Sequence, residues 1–152
     1  MRARVIAVAT LVAGTLDIAA AIVTTLVHGK SVLRMLQGVA SGPFGAWPLG
    51  AGWTGATLGL AVHFAIMAAM AGAFVVAAPL LPRLHARRFA YGAAYGALLY
   101  LIMYWVVLPL RWPSAGGATG GIVSVLLPLA IHILLVGIPI ALIAASRQRS
   151  PR

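Results

Sequence analysis

Asp17 is the only acidic residue in a chain of 152, and it interrupts an apolar run that holds no lysine or arginine beside it. A carboxylate so placed is tolerated in few ways. Either it keeps a proton, because desolvation disfavours its charged form, or a histidine offsets its charge. Three residues of suitable chemistry lie on three other apolar runs, namely His63, Tyr100 and His132. A carboxyl and an imidazole that can exchange one proton are what a buried proton relay needs. Tyr104, one turn beyond Tyr100, shares its helical face and competes for the same position.

The same residues carry two other readings. As polar glue they would hold helices together, at about 0.6 kcal/mol per interhelical hydrogen bond in a membrane. As ligands, Asp17, His63 and His132 suit zinc or non-haem iron in type and number, while Met67, with Met70, adds soft donors suited to copper. Two axial histidines at matching depth also suit a b-type haem, with Arg111, Lys30 and Arg34 near enough to one face to meet its propionates. No HxxxH or ExxH pair fixes two ligands on one helix, so the metal and haem readings rest on residue type alone. Nothing in the sequence requires a cofactor.

The elements that must position these residues follow from composition. Hydrophobic residues make up 62% of the chain and charged residues 8%, and mean hydropathy is +1.05, which places it among all-α integral membrane proteins of one domain. The formal charge of +10 sits in short clusters between apolar runs, where it would meet anionic lipid head groups rather than nucleic acid. The absence of cysteine excludes disulfides, thiolate metal sites and c-type haem. A single carboxylate excludes two-carboxylate acid–base chemistry, and no Ser-His-Asp set or glycine-rich phosphate loop is present, so an enzyme is not expected.

Four spans are expected over about 5–27, 54–81, 89–110 and 122–145, each long enough for the ~30 Å hydrocarbon core. MRAR before the first run raises a signal peptide, but the run is long for one and Asp17 breaks it. On the first span Thr10, Ala13, Gly14, Asp17, Ala20, Ala21, Thr24 and His28 recur at three- and four-residue steps, so the polar and small face turns toward other helices. Gly52, Gly55, Ala56, Gly59, His63, Met67 and Met70 do the same on the second, and Gly92, Gly96, Tyr100 and Tyr104 on the third. Tyr91 and Tyr95 fall near the start of that span, at interfacial depth. The fourth span carries Ser124, Pro128, His132 and Pro139 on one side, and its prolines leave backbone carbonyls that protein or water must satisfy.

Between the first two spans, residues 28–53 form the longest connection. Val32, Met35, Leu36 and Val39 share a face, as expected of a short helix lying in the membrane interface, and Phe44, Trp47 and Trp53 suit head-group depth. A glycine-rich hairpin loop joins spans three and four, and residues 147–152 form a basic, disordered tail. Arg2, Arg4, Arg83, Arg87, Arg88, Arg147, Arg149 and Arg152 fall on one side of the topology, against Lys30, Arg34 and Arg111 on the other. The positive-inside rule then makes the bundle N-in and C-in, with the 28–53 loop outside. On these boundaries Asp17 and Tyr100 lie roughly 18 and 17 Å from one surface and His63 and His132 roughly 14 and 15 Å from the other, all near the midplane.

YGALLYLIMYWVVLPL, followed by LPLAIHILLVGIPIAL, together with LDIAAAIVTTLVHG and LRMLQGVASG, resembles small bacterial inner-membrane proteins of the YagU type. The likeness is one of span order and of a few positions, Asp17, His63, Tyr104, Pro109 and His132, in a shorter chain. It implies the four-span topology and a bacterial inner membrane, and carries no activity. The expectation is therefore a four-helix membrane protein, homo-oligomeric or attached to a larger complex. Its buried Asp17, His63, His132 and Tyr100 or Tyr104 site would be linked to protons or a small cation, would bind haem b or a metal, or would be structural only.

Overall fold

A computed structural model of the chain describes residues 2–112 and 121–146, and these are helical with no strand among them. Helix α1 covers Arg2–Val27, α2 Val32–Phe44 and α3 Gly52–Ala77, the last continued by a 3-10 turn at Ala78–Leu80. The third rod is α4 (Arg88–Leu101), a π-helical turn (Ile102–Val107) and α5 (Leu108–Arg111). The fourth is α6 (Val123–Ile131), a second π-helical turn (His132–Gly137) and α7 (Ile138–Ser146). Arg2–Val27, Gly52–Leu80, Arg88–Arg111 and Val123–Ser146 are each long and apolar enough to cross a membrane. They match the spans expected from sequence to within a few residues, the usual uncertainty of a helix end. The hairpin loop over 113–120 and the tail over 147–152 lie outside the described residues.

The two ends of the bundle are packed differently. At the end that carries Arg2 and Ser146, here the terminal end, Val5, Ala9 and Ala13 of α1 meet Met67, Ala71, Phe74 and Val75 of α3 and Val136, Ile140, Ala141, Ala144 and Ala145 of the fourth rod in one core. Alanine dominates because it lets rods approach closely where lipid supplies no hydrophobic drive. At the other end, the loop end, the packing opens. None of the described residues from Leu101 to Leu135 is buried. Helix α1 packs on α7 and on the His132–Gly137 turn but scarcely touches α6.

Proline and glycine explain where the rods change geometry. Each π-helical turn ends two residues before a proline, at Pro109 and Pro139, and closes with an N–H reaching five residues back, Leu108 to Met103 and Ile138 to Ile133. In a regular α-helix a proline ring strikes the carbonyl four residues earlier, and the wider turn relieves that clash. Gly137 then nests against Gly92 and Gly96 of α4, and any side chain at Gly96 would meet the His132 carbonyl. The GxxxG spacing of α4 therefore seats the turn that begins at His132.

The connection 28–53 does fold as a helix, with Ser31 as N-cap accepting from the Arg34 amide at 3.3 Å. Its apolar stripe, however, is not what packs on protein. Gln37, Ala40 and Ser41 are buried, while Val32, Met35, Leu36 and Val39 are only half-buried. Small and polar residues win the contact because α2 crosses α3 at glycines: a Cβ on Gly59 would land on the Leu36 carbonyl, and one on Gly55 on the Pro48 carbonyl. Gln37 Nε2 donates to the Gly52 carbonyl at 2.8 Å, and Arg111 donates to the carbonyls of Gly42 and Ser41 at 2.6 and 2.8 Å, tying α2 to the second and third rods.

Candidate functional site

Where the packed half of the bundle meets the open half, the candidate residues fall into two groups. In the first, Gly14 lies beneath Phe64 and Met67, and the missing Cβ lets α3 approach α1 closely. His63, 9% exposed, is thereby brought to the α1 backbone, and its Nε2 donates to the Gly14 carbonyl at 2.9 Å. A carbonyl only accepts, so Nε2 carries the proton and Nδ1 is left for a second partner. That partner is Asp17, whose Oδ2 lies 3.9 Å from Nδ1. The separation suits an ion pair and exceeds a hydrogen bond. A proton arriving on Nδ1 would make the ring cationic, directly facing the only carboxylate side chain in the sequence.

The second group is aromatic. Tyr100 and Tyr104 stack with ring centroids 4.8 Å apart, and His132 stands edge-on to both, at 6.1 and 5.9 Å. His132 Nδ1 donates to the Pro128 carbonyl at 2.9 Å, one of the carbonyls near the proline-interrupted stretch of the fourth rod. Its Nε2 therefore keeps a lone pair. Tyr100 is buried at 5% exposure, whereas Tyr104 is half-buried and borders open space.

Both groups open onto one cavity of about 560 Å³ between α1, the Ile102–Val107 turn and α6. Asp17, Tyr104 and His132 lie on its wall, and Ala21, Thr24 and Thr25 continue the α1 side toward His28 and Lys30. Across from them are Val123, Ser124, Leu127, Pro128 and Ile131. Gly29, at φ +64°, ends α1 with the Gly29 amide bonded to the Leu26 carbonyl and the Lys30 amide to the Thr25 carbonyl, which turns Lys30 back to the cavity margin.

Comparison of the chain with protein-family models, curated proteins and solved structures gives no match. The site is therefore read from its geometry alone.

That geometry separates the ligand readings. Among the described residues no three histidine or acidic side chains are arranged to hold a metal ion, so the set drawn from Asp17, His63 and His132 is not assembled. Met67 is 3% exposed and belongs to the apolar core rather than to a ligand shell. For haem, His63 has one nitrogen bonded to Gly14 and the other facing Asp17, so only His132 offers a free ring nitrogen.

Several participants escape a reading of the sequence. Lys30 and Thr25 line the cavity although neither lies on the polar stripe of α1, because the chain turns at Gly29 and α6 splays away. His28 is exposed and also borders the cavity. Tyr95 packs on Phe74 at 5.0 Å and donates to the Met70 carbonyl at 2.7 Å, contacts that the sequence did not reveal. Arg111 is engaged by α2 rather than left for a propionate.

Proposed function

We propose that the chain is a membrane-spanning bundle in which Asp17 and His63 exchange a proton as part of proton- or small-cation-linked transport or sensing. One observation carries this reading: the Asp17 carboxylate faces the free nitrogen of His63 at 3.9 Å on the wall of a cavity that the loop end leaves unpacked. Ionisable groups inside membrane helices are costly, face the interior and mark ion or proton paths. Here the pair has the parts for a two-state site. With the proton on Asp17 both groups are neutral; with the proton on His63 Nδ1 they form an ion pair, and the bond to Gly14 holds the ring in place in either state.

The setting proposed for this site is a bacterial inner membrane, with both termini cytoplasmic, α2 at the opposite interface and basic residues meeting anionic head groups. Assembly into a homo-oligomer or a larger membrane complex belongs to the same proposal and rests on the many small residues of the rods. The test is proton flux in vesicles that enclose a pH-sensitive dye and carry an imposed pH difference. The wild-type protein should move protons and Asp17→Asn should not, with His132→Gln intermediate. Equal flux through all three, with only their thermal stability changed, would leave the polar residues a structural role and overturn the proposal.

A further inference from the structure

The hydrogen bonds around the cavity have a common direction. Thr24 Oγ1 donates to the Ala20 carbonyl, Thr25 Oγ1 to the Ala21 carbonyl and Ser124 Oγ to the Gly121 carbonyl, each at 2.7 Å. His28 Nδ1 donates to the Thr24 carbonyl at 2.7 Å, and His132 Nδ1 to the Pro128 carbonyl at 2.9 Å. Every one of these protons is already spent on the backbone. What remains toward a ligand are oxygen lone pairs, the second nitrogens of two imidazoles and the Asp17 carboxylate, with the Tyr104 hydroxyl and, at the margin, the Lys30 ammonium as donors. Around Asp17, away from Lys30 at the margin, acceptors outnumber donors, which suits a cation better than an anion.

Its other half is apolar. Ala21, Val123, Leu127 and Ile131 line it, and α6 is exposed beside it, with Val123 67% and Leu127 41% accessible. Among the described residues α1 scarcely touches α6, which leaves a slot between them along the cavity. The Tyr104 ring, stacked on Tyr100, adds the kind of aromatic face that attracts cations. A volume of about 560 Å³ is far more than a bare ion fills and falls in the ~300–1,000 Å³ range of small-molecule sites.

We infer that the cavity binds a protonated organic amine with an apolar body, its ammonium on Asp17 and its hydrocarbon between α1 and α6. The inference rests on the proton-linked reading of Asp17 and names its substrate class. Ligand and proton then alternate on one carboxylate: the incoming ammonium forms an ion pair with Asp17 as the carboxyl proton leaves for water, so one positive charge replaces another and no bond other than O–H is broken. Lys30, the cationic side chain on the cavity margin, opposes entry from the end and favours entry through the slot from lipid, where an amphiphilic amine concentrates.

The test uses purified full-length protein in nanodiscs and radiolabelled phenethylammonium, with tetraphenylphosphonium as a cation that has no N–H. Saturable phenethylammonium binding that weakens as pH falls is expected, with one proton released per ligand in weakly buffered solution. Asp17→Asn should lower affinity at least ~10-fold, about 1.4 kcal/mol, and Asp17→Glu should restore part of it. Tyr104→Leu, chosen in case the position 17 variants misfold, should weaken both cations, while tetraphenylphosphonium should bind less tightly than phenethylammonium for want of N–H donors. Absence of saturable phenethylammonium binding beside intact proton flux would overturn the amine site and leave the proton-linked reading in place. Amine binding without proton release would overturn the coupling and leave a simple amine-binding site. Equal binding to wild type and to both the Asp17→Asn and Tyr104→Leu proteins would place the ligand elsewhere and overturn the inference.

Discussion

At position 63 glutamine could still donate to the Gly14 carbonyl but could not change its charge. His63→Gln should therefore keep the bundle within about 1 kcal/mol of wild type, whereas His63→Leu, which removes the interhelical bond to the Gly14 carbonyl, should cost about 1–2 kcal/mol. Thermal unfolding in detergent distinguishes the two. Both should lose proton flux, which separates a titrating group from a merely bridging one. Asp17, His63 and His132 could be singled out in the sequence by type and helical face, and the structure sets Asp17 against His63 and His132 against the tyrosines. Their division into two groups was not legible in the sequence. It depends on Gly14 drawing α3 onto α1 and on proline-linked turns rotating His132 away toward the tyrosines, and neither effect has a signal in span order. The choice between Tyr100 and Tyr104 is likewise made by packing, since both lie on one face and only the cavity tells them apart.

Helices and their seams set the next scale. A methyl group added at Gly96 would meet the His132 and Ile133 backbone, and one at Gly59 the backbone of Leu36. Backbone cannot swing aside as a side chain can, so each alanine substitution should destabilise by about 1–3 kcal/mol. Their functional consequences should differ. Gly96→Ala displaces the turn that bears His132 and should impair flux, while Gly59→Ala shifts α2 and should affect flux less. Arg111→Ala should release α2, read as faster amide exchange over Val32–Phe44 with little change in the other rods, because the two bonds to Ser41 and Gly42 are lost. The existence of α2 was readable from its apolar spacing. Its buried face was not, because glycine-mediated crossing of α3 outweighs the burial of Val32, Met35, Leu36 and Val39, which remain half-buried. The fourth span's prolines announced unsatisfied carbonyls, and only the structure shows that Pro139, like Pro109 on the third rod, is accommodated by a π-helical turn, an irregularity common where helices carry function.

At the largest scale the decisive feature, among the described residues, is asymmetry between a close-packed terminal end and a loosely packed loop end. Alanine-rich helices hold the terminal half together, and the outer stretches of the third and fourth rods stand apart around the cavity. Four long apolar helices were evident from hydropathy, but the sequence does not reveal where rods separate, since the residues of α6 are as apolar as those of a packed helix. Side of exposure is directly measurable, because the chain has no cysteine to interfere. Single substitutions Ser31→Cys and Arg87→Cys should react with a membrane-impermeant maleimide from opposite faces of intact cells or inverted vesicles, Ser31→Cys from outside. Labelling of both from one face would reject the four-span arrangement.

A sole side-chain carboxyl also permits the most direct test of the central claim, that Asp17 holds a proton it can give up. Isotope-edited infrared spectroscopy of the folded protein, titrated with acid and base, should show one protonated carboxyl stretch that disappears in Asp17→Asn, exchanges with a carboxylate signal as pH rises, and shifts in His63→Gln. A carboxyl signal fixed in one state over the whole range in which the bundle stays folded would show that Asp17 exchanges no proton, and would contradict the account.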